Sequence, residues 1–186
     1  MIILGSSSPR RIELLKRITN DFKIIKPTFN ESLISISETH YALKEALGKA
    51  ESIKKYISYE DILICCDTVV ILNNKIFGKP KDDKDAFEIL HSLSENTHEV
   101  VTAYVIIYKD KIIKKEVTSE VTFNRLSDEK ILSYILNENV KDKAGAYAIQ
   151  DDDKFNLIKS IKGSKDNIIG FPVEEIQNDL ELLNAF

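Results

Sequence analysis

The hydrophobic pattern begins with a short apolar run, Met1-Ile2-Ile3-Leu4, which reads as a strand. A polar turn, Gly5-Ser6-Ser7-Ser8-Pro9-Arg10-Arg11, separates it from apolar positions at helical spacing, Ile12, Leu14, Leu15 and Ile18. Phe22 to Ile25 reads as a second strand, and Lys26 to Glu31 as a loop. Ser37-Glu38-Thr39 opens a long helix whose apolar face runs through Tyr41, Leu43, Ala46, Leu47, Ala50 and Ile53. Ile62 to Leu72 is apolar and β-branched on both faces, the pattern of a central strand. Asn73-Asn74 turns it into a returning arm, Lys75 to Pro80.

The alternation then favours a helix from Asp82 through Phe87, Ile89, Leu90 and Leu93, followed by a long strand, Thr97 to Tyr108. Lys109-Asp110 turns the chain into an antiparallel partner, Ile112 to Phe123. Ser127 caps a helix carrying Ile131, Leu132, Ile135 and Leu136; Phe155 to Ile161 reads as a strand; Pro172 starts a last helix. Early alternation of strands and helices followed by long antiparallel strands is an α/β pattern with a mixed sheet.

Composition narrows this picture in a few places. With 186 residues, 43% of them hydrophobic and 30% charged, the chain supports a sizeable core and one compact unit. A net charge of −4 argues against non-specific nucleic-acid binding, so any anion site must come from local clustering of basic groups. The two cysteines, Cys65 and Cys66, are neighbours and poorly placed for a mutual disulfide, which points to a reducing, cytoplasmic setting. No signal peptide or membrane span is indicated. The three histidines show no metal-ligand spacing.

Two places carry chemistry on physical grounds alone. The serine-rich turn sits where a strand ends and a helix begins, so outward-facing N–H groups and two adjacent arginines suit a phosphate; a solvated surface cap fits the same residues. Asp67 lies in the middle of the most apolar strand. An ionised carboxylate there needs a partner, a cation or a structural hydrogen bond.

The order of motifs resolves these alternatives by resemblance. Leu4-Gly5-Ser6-Ser7-Ser8-Pro9-Arg10-Arg11-Ile12-Glu13-Leu14-Leu15, then Cys66-Asp67-Thr68-Val69-Val70, then Asp142-Lys143-Ala144-Gly145-Ala146-Tyr147-Ala148-Ile149-Gln150 resemble successive signatures of the Maf family of nucleoside triphosphate pyrophosphatases. Gly78-Lys79-Pro80, Ala46-Leu47-Gly48-Lys49-Ala50 and Gly163 to Pro172 resemble further segments of that family. Asn30 stands where the family has an aspartate before Glu31, Ala148 where it has glycine, Phe171 where leucine is usual, and Asp151-Asp152-Asp153 replaces a glycine-containing turn.

The resemblance implies one Maf-like domain over 1–186, with an elongated mixed sheet flanked by helices in two lobes around a central cleft, as in inosine triphosphate pyrophosphatases. It implies hydrolysis of dTTP and UTP, and of modified pyrimidine nucleotides, to the monophosphate and pyrophosphate. Asp67 would be the catalytic base. Ser6, Ser8, Arg10, Arg11, Lys49 and Lys79 would bind phosphates, and Glu31 with Asp67 a divalent cation, Mg2+ or Mn2+. Arg10, Thr68 and Gln150 would set the base preference, with Asp142, Lys143 and Tyr147 lining the nucleotide pocket. The partner is then a nucleoside triphosphate, not nucleic acid or membrane, and a homodimer is compatible with it. Two other readings share these residues: a nucleotide-binding regulator of cell division without turnover, and an enzyme of the branch that acts on 7-methyl-GTP.

Overall fold

A computed structural model describes residues 1–184. In chain order its elements are β1 (Ile2–Leu4), α1 (Pro9–Leu15), β2 (Phe22–Ile24), a 3-10 turn (Glu31–Leu33), α2 (Tyr41–Lys54), β3 (Ile62–Leu72), β4 (Lys75–Phe77) and α3 (Asp83–Leu93). There follow β5 (Thr97–Tyr108), β6 (Lys111–Phe123), α4 (Asp128–Asn137), 3-10 turns at Ala144–Ala146 and Ile149–Asp151, α5 (Asp152–Phe155), β7 (Ile158–Lys162), α6 (Lys165–Ile169) and α7 (Val173–Leu182). The strands hydrogen-bond in the order β2-β1-β3-β5-β6-β7, with β4 also on β3. This is the mixed α/β architecture expected, parallel over β2-β1-β3 and antiparallel at β3-β4 and β6-β7.

The chain divides into two compact units, the first made of Met1–Asp67, Thr102–Val117 and the C-terminal segment from Asp166, the second of Thr68–Val101 and Thr118–Lys165. In the first, Ile2 and Leu4 of β1 and Ile62, Ile64 and Cys66 of β3 meet Leu14 and Leu15 of α1 and Ile176, Leu180 and Leu183 of the C-terminal region in one apolar cluster. Leu15 and Leu4 are fully buried, each contributing about 1.5–3 kcal/mol of hydrophobic stabilisation. Within the same unit Tyr104 donates to Asp179, which also accepts from Lys115, so a nearly inaccessible carboxylate on α7 is paired as burial demands.

In the second unit α3 packs on α4. Asp82 caps α3 by accepting from the Asp85 amide, and Ser127 caps α4 by accepting from Lys130. Asn73 and Asn74 both take positive φ, 50° and 62°, the conformation required at the centre of a tight two-residue hairpin turn. Among the described residues no helix is long and apolar enough to cross a membrane.

Two boundaries differ from the sequence pattern. Helix α2 begins at Tyr41 rather than Ser37: Glu38 turns back to accept from the Ser35 amide, and His40 stands in the left-handed region at φ 55°. Those local bonds compete with helix for the same backbone groups. Strand β7 begins at Ile158 rather than Phe155, because Asp152 to Phe155 form a helical turn closed by Asn156 at φ 51°. The Asp152 carboxylate then accepts from the Ile158 amide at 2.6 Å. The closing motif also holds a short helix, α6, that its sequence did not reveal.

Candidate active site

Strand β3 carries Asp67 near its middle, and α2 brings Lys49 to it. The Lys49 ammonium lies 2.5 Å from Asp67 Oδ1 and 2.9 Å from Glu31 Oε1, at the end of the loop that follows β2. Lys49 is buried at 9% exposure. Burial is the largest single influence and pulls its pKa down, but the charge and hydrogen bond of Asp67 together with the charge of Glu31 outweigh it, so the net shift is upward and the ammonium stays charged.

Gly48 has a specific use here. A β-carbon at that position would fall 2.3 Å from the Phe29 ring, so the glycine lets the loop holding Phe29, Asn30 and Glu31 lie directly on α2. That contact is what places Glu31 against Lys49.

A third carboxylate belongs to this group and was not singled out from sequence. Glu45, one helical turn before Lys49, is only 1% exposed, and neither of its oxygens makes a well-formed hydrogen bond among the described residues, its polar neighbour being the Tyr41 phenol. Ligand oxygens of Glu31, Glu45 and Asp67 all lie within 4.8 Å of one another. Burial first, and then the charge of Asp67, push the Glu45 carboxyl up to about 7. The Tyr41 phenol is likewise shifted upward, by burial and then by the charge of Glu45. The signal was present in the pattern: Ala42, Glu45, Ala46, Lys49, Ala50 and Ile53 form the buried face of α2, whereas Leu43 and Leu47, taken for that face, are only half-buried.

The serine-arginine turn belongs to the same unit. Pro9 opens α1, Ser8 stands at its N-cap without a side-chain capping bond, and Ser6 is buried with its hydroxyl accepting from the Ser8 amide. Arg11 is fixed through Nε to the Gly170 carbonyl at 2.9 Å, and its charge opposes protonation of Lys49. Arg10 is half-buried in the first turn of α1. Ser6, Arg11, Glu31, Lys49 and Asp67 are thus brought into one unit, with both signs of charge.

The remaining candidates belong to the second unit. Thr68 is half-buried on β3, while Lys79, Asp142 and Gln150 are exposed. The segment from 141 to 150 contains no strand. Gly145 donates to the Gly78 carbonyl at 3.0 Å and adopts φ 69°, and a β-carbon on it would meet Val70 at 2.6 Å. Lys143 is engaged by Asp142 at 3.0 Å and by the Asn139 carbonyl.

Tyr147, a candidate for the nucleotide pocket, is buried: its ring packs edge-on against His98 and Phe123, and its hydroxyl is 2.7 Å from His98 Nε2. Beyond Gln150 the aspartates set the loop shape, Asp151 accepting from the Tyr134 hydroxyl, which in turn accepts from the Ala148 amide.

Taken by chemistry, a mixed-sheet α/β protein in which a buried lysine, an arginine-bearing helix start and three clustered carboxylates share one unit belongs to the class of proteins that handle polyanions with a cation. More particularly, the chain belongs to the Maf-like protein family, whose model matches residues 1–183. It is 44% identical to a dTTP/UTP pyrophosphatase of Clostridium botulinum (strain Okra / Type B1), over 96% of this chain and 95% of that one. It is 42% identical to a dTTP/UTP pyrophosphatase of Clostridium acetobutylicum, over 94% of each. Among solved structures it is similar in fold to the Staphylococcus aureus Ham1 protein, at 16% identity and TM-score 0.51, with 98% of both chains covered.

Proposed function

We propose that this chain is a nucleoside triphosphate pyrophosphatase that hydrolyses dTTP and UTP to the monophosphate and pyrophosphate, acting as a single Maf-like domain. The observation that carries this reading is the Asp67–Lys49–Glu31 constellation in a chain over 40% identical to enzymes of that name. A pocket that only binds a triphosphate gains nothing from carboxylates beside it, since they repel the ligand.

In this reading the Asp67 carboxylate accepts a proton from the attacking water. The water oxygen bonds to the α-phosphorus as the bond to the bridging oxygen breaks, and pyrophosphate leaves. Lys49 holds Asp67 and Glu31 in place and, with Arg10, Arg11 and Lys79, offsets the charge that builds on the leaving group. Ser6 and Ser8 contribute to phosphate binding at the start of α1.

Oxygen donors at this spacing fit a hard divalent cation, Mg2+ or Mn2+, held partly by Glu31 and Asp67, and such an ion would neutralise phosphate charge. Gln150 offers a donor and an acceptor that complement the O4 and N3–H edge of uracil and thymine, and Thr68 and Arg10 assist that selection; Asp142 and Lys143 flank the nucleotide. Tyr147 supports this segment from within the core.

The test is product identity. Incubation of UTP with the purified protein and Mg2+ should yield UMP and pyrophosphate, not UDP and phosphate. Tight UTP binding with no products would instead favour a nucleotide-binding regulator.

A further inference from the structure

Glu45 calls for an explanation that the proposed hydrolysis does not supply. Its carboxylate is inaccessible, and neither oxygen makes a well-formed hydrogen bond among the described residues, the Tyr41 phenol being a neighbour that interacts with it, while Glu31 and Asp67 are paired with Lys49. An unpaired buried carboxyl costs stability, so a protein retains one at little advantage unless something occupies it. Helix α2 presents Glu45 and Lys49 one turn apart on its buried face, and the Glu45 oxygen lies within 4.8 Å of oxygens of both Glu31 and Asp67. Three carboxylates are thus gathered around a single ammonium group.

We propose that Glu45 is the third carboxylate ligand of a divalent cation held with Glu31 and Asp67, and that Lys49 competes with that cation as the resident counter-charge. This rests on the pyrophosphatase reading only for the need for a metal. Three acidic oxygens suit Mn2+ or Mg2+, which take carboxylates and water. The ammonium of Lys49 already spans two of them, so entry of the metal loosens that ion pair and releases Lys49 toward an anionic ligand. Glu45 has no such pair to surrender, which makes it the ligand available first.

The experiment is Mn2+ binding to the nucleotide-free protein, followed by titration calorimetry and by loss of the free-ion electron paramagnetic resonance signal, with the melting temperature recorded alongside. Glu45→Gln should weaken Mn2+ binding roughly 10–100-fold, the scale of losing a group that supports a metal site. Lys49→Met should tighten it about tenfold, as expected for removing a close competing charge. Glu51→Gln, an exposed glutamate of the same helix, should leave it unchanged. Glu45→Leu exchanges a buried charge for an apolar group and keeps the test available should the glutamine variant fail to fold. In that variant the rise in melting temperature on adding Mn2+ should be lost.

Wild-type Mn2+ affinity in both Glu45 variants would overturn the proposal, even if the protein hydrolyses UTP. Unchanged or weaker binding in Lys49→Met would overturn the competition. Glu45-dependent Mn2+ binding in a protein that hydrolyses no nucleotide would leave this inference standing and remove the pyrophosphatase reading.

Discussion

Replacing Asp67 by asparagine separates catalysis from stability, and the structure indicates by how much. At an effective dielectric constant of about 20, the 2.5 Å contact with Lys49 is worth roughly 7 kcal/mol of attraction, whereas each like-charged neighbour within 4.8 Å costs about 3.5 kcal/mol. Glu31 and the ionised fraction of Glu45, whose carboxyl is pushed up to about 7, therefore offset a large part of what Lys49 gains from Asp67. Glu31 is close to half exposed, and solvent weakens its share, but the asparagine oxygen still accepts from the ammonium.

The net change in unfolding free energy should accordingly stay within about 2 kcal/mol of wild type, far less than the 3–5 kcal/mol typical of breaking an isolated buried ion pair. Turnover should fall by about 100-fold or more, because the amide neither takes a proton nor carries charge. Urea denaturation and pyrophosphate release from UTP, measured on the same preparation, give the two numbers. A folded variant retaining most of its kcat would show that Asp67 is not the base. A variant that fails to fold would show that the three-carboxylate cluster is not under the mutual repulsion described.

Other outcomes follow from the same geometry. Gly48→Ala gains about 1 kcal/mol of helix propensity but drives its methyl into the Phe29 ring, so activity should drop through displacement of Glu31 while the melting temperature moves little; unimpaired activity would show that the Phe29 loop does not position the site. His98, whose pKa burial lowers from 6.5 to about 4, is neutral when folded and takes up a proton on unfolding below pH 6.5. Stability should therefore fall by about 3 kcal/mol as the pH drops from 6.5 to 4, and His98→Gln should flatten that slope in urea melts at several pH values. If the proposed phosphate-binding roles hold, Arg10, Arg11 and Lys49 should show coupled rather than additive losses in kcat/KM when substituted pairwise, and strictly additive losses would count against those roles.

Much of this was legible in the chain. The apolar run rich in β-branched residues around Asp67 dictated β3, the Asn-Asn pair its hairpin, and Asp82 and Ser127 the starts of α3 and α4, because each is a local preference that tertiary packing had no reason to override. Glu45 escaped for a different reason. Leu43 and Leu47 drew the apolar face of α2 to the wrong side, and a buried glutamate and lysine on the true face look polar in any hydropathy pattern although they lie inside. The start of α2 was misjudged because Ser35 and Glu38 satisfy each other locally, and the start of β7 because Asp152 and Asn156 close a turn that apolar alternation does not report. The packing of Tyr147 against His98 and Phe123 was not legible either, because both partners are distant in sequence.

The most direct test of the central claim is kcat/KM for UTP, dTTP, CTP, GTP and 7-methyl-GTP on one preparation with Mg2+, repeated with Gln150→Glu. UTP and dTTP should lead, by as much as about 10⁴-fold where the wrong base leaves polar groups unpaired, and Gln150→Glu should lower their rates and disturb the ranking. If 7-methyl-GTP is the best substrate, or Gln150→Glu leaves rates and ranking as they were, the assignment to dTTP and UTP is contradicted.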